Sequence, residues 1–304
     1  MNRVAAALSA HPRLLGVVSP RHRRWWSILS SLDLDPGRLA SPVDPPGSRD
    51  FIICGIPRSG TSLLCAALYQ PPDCVTVMEP WDGMRLPPAE LFASLRAELA
   101  HGELARGRLD IDSLLSRGEV RWGSDGASSH RIATVPEYLL GVKWTVFWRY
   151  LDKLPRTKFL VCVRDPIEVV TSFAGMKGRL SEGLNYDIPF NREMNAALSA
   201  ATDDPALRRA LLFEYIASRI VPHLGRPNVF LVRYERWFQD RGGLMRDIAE
   251  FLGASLGDGE PVIREPLRRP LDPDTVRLVA EHCPSASALG YAAATADGSA
   301  GPRP

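Results

Sequence analysis

The segment Gly55-Ile56-Pro57-Arg58-Ser59-Gly60-Thr61-Ser62 concentrates polar chemistry in one short stretch. It joins the apolar run FIIC (51–54), which has strand character, to LLCAALYQ (63–70), which has helical character. A strand that ends in a glycine-bearing turn and leads into a helix places free backbone N–H groups and the positive end of a helix dipole around one point. Such a point binds an anion. Gly55 and Gly60 permit the backbone conformations the turn demands, and the hydroxyls of Ser59, Thr61 and Ser62 add donors. Arg58 supplies a cation inside the turn.

The spacing G-x-x-x-x-G is that of the triphosphate-binding loop G-x-x-x-x-G-K-[ST], but Thr61 stands where the lysine belongs. An enzyme that splits a triphosphate uses that lysine on the β and γ phosphates and the next hydroxyl on magnesium. Residues 51–70 contain no lysine at all. The cradle is therefore kept while the triphosphate machinery is lost. A small-molecule kinase using ATP and a nucleotide-binding module without catalysis stay as alternative readings.

A second stretch carries the comparison further. KFLVCVRDPIEVVTSF (158–173) reads as a buried strand ending in Arg164, then Asp165-Pro166 as helix N-cap and first turn, then Ser172 two turns along. Taken alone, Arg164 also reads as a strand-end arginine paired with a nearby carboxylate. PRSGTSLL (57–64) resembles the 5′-phosphosulfate motif of the P-loop sulfotransferases, in the arginine form of tyrosylprotein sulfotransferases and many bacterial carbohydrate sulfotransferases. In that family an Arg and a Ser separated as Arg164 and Ser172 are bind the 3′-phosphate of the nucleotide. The resemblance implies a metal-independent enzyme that moves a sulfuryl group from 3′-phosphoadenosine 5′-phosphosulfate to a hydroxyl of a carbohydrate or small-molecule acceptor. It implies a donor site built from Arg58, Ser59, Gly60, Thr61, Ser62, Arg164, Ser172 and Tyr234. Tyr234 ends the run NVFLVRY and precedes Glu235, like the family's Tyr-Glu pair near the nucleotide.

Sulfuryl transfer needs a cation for the leaving phosphate oxygen, in-line placement of the reactants and a base for the acceptor proton. Arg58 suits the first task. For the base, the comparison with tyrosylprotein sulfotransferases points to Glu79, in CVTVMEPW. Open α/β sheets also bind ligands beyond the carboxyl ends of their strands, where Glu79 should emerge. Burial beside Met78, Pro80 and Trp81 would favour its protonation; the alternative is a solvated carboxylate before a turn. The histidine base of cytosolic members is absent, because Thr145 stands two residues after Lys143. Lys143 reads either as a contact to sulfuryl oxygens or as a snorkelling strand-end lysine. Where tyrosylprotein sulfotransferases carry an arginine after the motif serine, this chain has Met176, with Lys177 and Arg179 nearby. Arg264, Arg268 and Arg269 in REPLRRPLDP (264–273) read as a basic segment closing on the 3′-phosphate or as a solvated charge run. His101 and His130 read as surface residues, Trp144, Phe147 and Trp148 as core, and Trp81 as a wall of the acceptor pocket.

The elements that must position these groups are legible as runs. FIIC (51–54), CVTVM (74–78), GVKW (141–144), KFLVCV (158–163) and NVFLVRY (228–234) are unbroken apolar stretches suited to strands covered on both faces. Helical patterns follow at about 88–106, 145–154, 166–176, 205–221, 242–252 and 272–282. The expectation is a three-layer α/β/α fold around a parallel sheet of about five strands, like the P-loop nucleotide kinases. Residues 1–48 read as a helical extension and a Pro/Gly linker, 49–291 as the catalytic domain and 292–304 as a disordered tail; 177–191 reads as a candidate lid or acceptor loop.

Composition sets outer bounds. The chain has 304 residues, is 45% hydrophobic and carries a net charge of +2. A balance so near neutrality, with only four lysines, does not suit a nucleic-acid binder, which needs a concentrated basic surface. Five cysteines without C-x-x-C spacing or a histidine at metal spacing read as buried thiols in a reducing compartment, hence the cytoplasm. No stretch has the length of a membrane span.

Overall fold

A computed structural model describes residues 39, 42–45, 47, 49–104, 109–110, 121–122, 130–131, 134–176, 178–186, 188–256 and 271–291. The chain divides into two compact units, 1–41 and 42–304; in the first, only Leu39 is described. The expected helices of 1–34, the tail 292–304, Lys177 and Arg264, Arg268 and Arg269 lie outside the described residues, as do the side chains of Trp81 and His130.

Five strands form one parallel sheet: β1 (Asp50–Gly55), β2 (Cys74–Met78), β3 (Leu139–Lys143), β4 (Lys158–Val163) and β5 (Val229–Arg233). Their order is β2-β3-β1-β4-β5, so β1 is central and the chain leaves it in opposite directions on its two sides. That reversal opens a crevice beyond the carboxyl end of β1. The strands are apolar throughout because helices cover both faces. On one face Phe51, Ile53, Leu160, Cys162 and Val232 form a single cluster with Leu64, Cys65 and Leu68 of α1 (Thr61–Ala67) and its C-cap, and with Leu244 and Ile248 of a helix at Arg241–Leu252. The alternate residues Ile52, Cys54, Phe159 and Val161 are just as fully buried on the other face.

The longer helices that follow among the described residues are α2 (Pro88–Ala100), α3 (Pro166–Ala174), α4 (Arg192–Ala201), α5 (Pro205–Ile220), α6 (Arg241–Leu252) and α7 (Pro273–His282). Aspartates start four of them. Asp165 caps α3 on the N–H groups of Ile167 and Glu168, Asp204 caps α5 on Ala206, Asp240 caps α6 on Gly243, and Asp272 caps α7 on Thr275. The helical pattern at 88–106 stops at Ala100, and the one at 145–154 forms only a 3-10 turn over Thr145–Tyr150. In the linker run, Asp44 accepts hydrogen bonds from the Thr157 N–H at 2.9 Å and its hydroxyl at 2.7 Å, which ties residues 42–45 to the turn before β4.

The described part of 177–191 is not the free lid the sequence suggested. Leu180, Leu184 and Ile188 are buried, and Asn185 exchanges hydrogen bonds with Asn195 of α4, its N–H donating at 2.8 Å and its carbonyl accepting at 3.1 Å. The Asn195 side chain thus ties the Asn185 backbone to α4.

Candidate active site

β1 delivers the chain into the crevice through a turn that leaves no room for a side chain at either of its glycines. A Cβ on Gly55 would stand 2.1 Å from the Cys162 carbonyl oxygen of β4. Gly60, at φ 82°, begins α1, and a Cβ there would lie 2.5 Å from the Tyr234 ring. The first N–H groups of a helix have no partner within it. Ser59 is 1% exposed, and its buried hydroxyl has no hydrogen-bond partner among the described residues. An unsatisfied buried hydroxyl costs free energy unless a ligand meets it. Thr61 is buried and Ser62 half-buried on the first turn of α1.

Arg58 is exposed and adopts φ 73°. Its Nε donates to Ser172 Oγ at 3.0 Å, across 114 positions of sequence. The two motifs therefore meet. Arg164 stands at the carboxyl end of β4 with its guanidinium 4.5 Å from the centre of the Tyr234 ring and its Nη2 3.1 Å from Glu168 Oε2. The paired-arginine reading of Arg164 is thus realised by Glu168, four residues on. Tyr234 lies between Gly60 and Arg164. Its hydroxyl pKa is raised, first by burial and against the pull of Arg164. Arg58, Gly60, Arg164, Ser172 and Tyr234 form one group on the β1-β4-β5 side of the crevice.

Glu79 sits on the other side, at the end of β2. It is 6% exposed, and its Oε1 accepts from Lys143 Nζ at 2.6 Å; Lys143 is 2% exposed. Lys143 is therefore no snorkelling lysine, and Glu79 is no solvated carboxylate. The register that sets Met78 against Lys143 makes the encounter. Both charges act on Cys65 of α1, whose thiol burial pushes up to about 12 while Lys143 draws it down and Glu79 pushes it up. Glu79 also adopts a left-handed backbone, φ 49°, and its N–H donates to the Lys143 carbonyl at 2.8 Å. Next to it Trp144 Nε1 donates to the Pro80 carbonyl at 3.0 Å, and Trp144, Phe147 and Trp148 are buried. His101 ends α2 at the surface.

Sequence reasoning placed Glu79 and Lys143 separately and missed their pairing, which depends on two strands distant in sequence lying side by side. It also missed the left-handed backbone at Arg58 and Glu79, for which a residue type other than glycine gives no signal.

A central strand that feeds an anion cradle in a parallel sheet of this order defines a P-loop-type nucleotide-binding α/β protein. The chain belongs to the sulfotransferase family, whose model matches residues 50–258, and is an enzyme of sulfuryl transfer. Solved structures similar to it include a sulfotransferase from Alicyclobacillus acidocaldarius (17% identity, covering 79% of this chain and 93% of that one, TM-score 0.40). They also include the sulfotransferase domain of the Synechococcus PCC 7002 olefin synthase (14% identity, 78% and 95%, TM-score 0.44). A third is mouse sulfotransferase SULT7A1 complexed with PAP (15% identity, 84% and 70%, TM-score 0.38). No curated protein sequence matches the chain.

Proposed function

We propose that the protein transfers the sulfuryl group of 3′-phosphoadenosine 5′-phosphosulfate to a hydroxyl of a carbohydrate or small-molecule acceptor. The observation that carries this reading is the 3.0 Å hydrogen bond between Arg58 and Ser172, which brings the two phosphate-binding motifs to one crevice. The unpartnered Ser59 hydroxyl and the N–H groups of residues 60–62, at the start of α1, suit the 5′-phosphosulfate. Arg164 and Ser172 suit the 3′-phosphate, and the Tyr234 ring between them and Gly60 suits the nucleoside. Arg58 then neutralises the bridging oxygen as the S–O bond to the donor breaks. The acceptor oxygen attacks sulfur, and its proton passes to Glu79, which Lys143 holds in place. No magnesium is assigned a role.

The catalytic domain is assigned to 49–291, after an N-terminal extension and linker and before a C-terminal tail. A cytoplasmic setting belongs to the same proposal and rests on five buried, unbridged thiols. Among the described residues no helix is long and apolar enough to cross a membrane.

Calorimetry with adenosine 3′,5′-bisphosphate tests the donor assignment directly. Tight binding of that product without metal is expected, with weak or absent binding of ATP and magnesium. The reverse order of affinities would remove the reading in favour of a kinase. Product binding without sulfate transfer to any of a broad panel of hydroxylated acceptors would leave a nucleotide-binding module.

A further inference from the structure

Tyr234 and Glu168 hold the guanidinium of Arg164 on its face and its edge, but neither fixes the backbone that presents it. That position is set one residue later. The Asp165 N–H donates to Glu235 Oε1 at 2.8 Å, while the Asp165 side chain is committed to the first N–H groups of α3. The other oxygen of the same carboxylate, Glu235 Oε2, accepts from the Tyr291 hydroxyl at 2.9 Å. Tyr291 arrives 56 residues further along the chain, beyond α7. Its neighbour Gly290 lies flat on Arg233 at the end of β5, where a Cβ would stand 1.9 Å from Arg233 Nη2. Burial holds the Tyr291 hydroxyl pKa far above its ordinary value, and Glu235 raises it further, so the hydroxyl remains a donor.

We infer that Glu235 and Tyr291 are positioning residues that fix the Arg164–Asp165 backbone and thereby set the affinity of the site for the 3′-phosphate of the nucleotide. The inference rests on the donor assigned above. It makes the C-terminal segment part of the donor site without any contact to the ligand. It also accounts for the placement of a carboxylate near a phosphate subsite: both oxygens of Glu235 are occupied by donors, one from each segment, so its charge is spent on the tie.

The test compares adenosine 3′,5′-bisphosphate with AMP, which lacks the 3′-phosphate, by calorimetry on the full chain. Glu235→Ala should weaken the bisphosphate about tenfold while AMP stays within about twofold. Tyr291→Phe, which removes a single oxygen, should cost the bisphosphate about threefold and AMP nothing. Glu235→Gln keeps an acceptor for the Asp165 N–H and should restore bisphosphate affinity to within about twofold of the parent. Equal losses for both nucleotides would reduce the tie to general packing and overturn the inference, as would unchanged affinities in both Glu235→Ala and Tyr291→Phe. If Glu235→Ala does not fold, Tyr291→Phe decides alone. A parent protein that binds AMP as tightly as the bisphosphate removes the donor assignment itself, and this inference with it.

Discussion

At the residue scale, the two side chains assigned to the chemistry are also the non-glycine residues found in left-handed backbone among the described residues: Arg58 at φ 73° and Glu79 at φ 49°. Such a conformation costs about 1–3 kcal/mol and persists only where the surroundings impose it. Glycine would relieve it. Arg58→Gly should therefore be about 1 kcal/mol more stable to urea than Arg58→Ala, with both variants losing most of kcat; equal midpoints would show that the turn stores no strain. The Glu79–Lys143 pair makes a second, independent statement. Removing one member of a buried ion pair strands the other charge and costs about 3–5 kcal/mol, whereas replacing both is close to neutral. Lys143→Met should be severely destabilised, and Glu79→Gln with Lys143→Met should recover most of the loss without recovering transfer. A double variant as unstable as the single one would mean the pair is not coupled as the 2.6 Å contact requires.

At the element scale, the strands were legible because burial on both faces demands apolar runs, and CVTVM and KFLVCV coincide with β2 and β4 residue for residue. The helix α4 was not. REMNAALSAA turns Met194, Asn195 and Leu198 inward, and an asparagine in that set breaks the apolar period. The motif residues were readable from spacing, since Arg164 and Ser172 lie on one strand–helix unit, β4 and α3. The Glu79–Lys143 contact was not, because the β2-β3 neighbourhood is a product of sheet order rather than of local pattern.

The turn that ends α5 carries a prediction of its own scale. Arg226 Nη1 lies 2.9 Å from His223 Nδ1 and 2.7 Å from the Leu151 carbonyl, so the imidazole accepts from a guanidinium. Burial and then Arg226 lower its pKa below 6.5, with Asp152 opposing. The unfolded chain therefore binds the proton first as pH falls. Stability from this contact is complete above pH 6.5 and is lost as pH drops through the folded value. Urea midpoints should fall between neutral pH and pH below that range, and His223→Asn, which offers a non-titrating acceptor, should flatten that portion of the profile. An unchanged slope in the variant would assign the acid sensitivity elsewhere.

At the scale of the whole molecule, the crevice has two sides separated by the central strand. The donor groups Arg58, Gly60, Arg164, Ser172 and Tyr234 gather around β1, β4 and β5, whereas Glu79 and Lys143 cap β2 and β3. If binding and proton removal are divided in this way, a change on the β2-β3 side should leave the nucleotide equilibrium alone. A ligand at one hundred times its Kd stabilises the folded state by about 2.7 kcal/mol, which in a chain of this size raises Tm by roughly 4 °C. Glu79→Gln should show the same rise with adenosine 3′,5′-bisphosphate as the parent protein while losing most of its transfer rate. A variant that lost both together would place Glu79 among the donor contacts, and the carboxylate would then be holding the nucleotide rather than taking the acceptor proton.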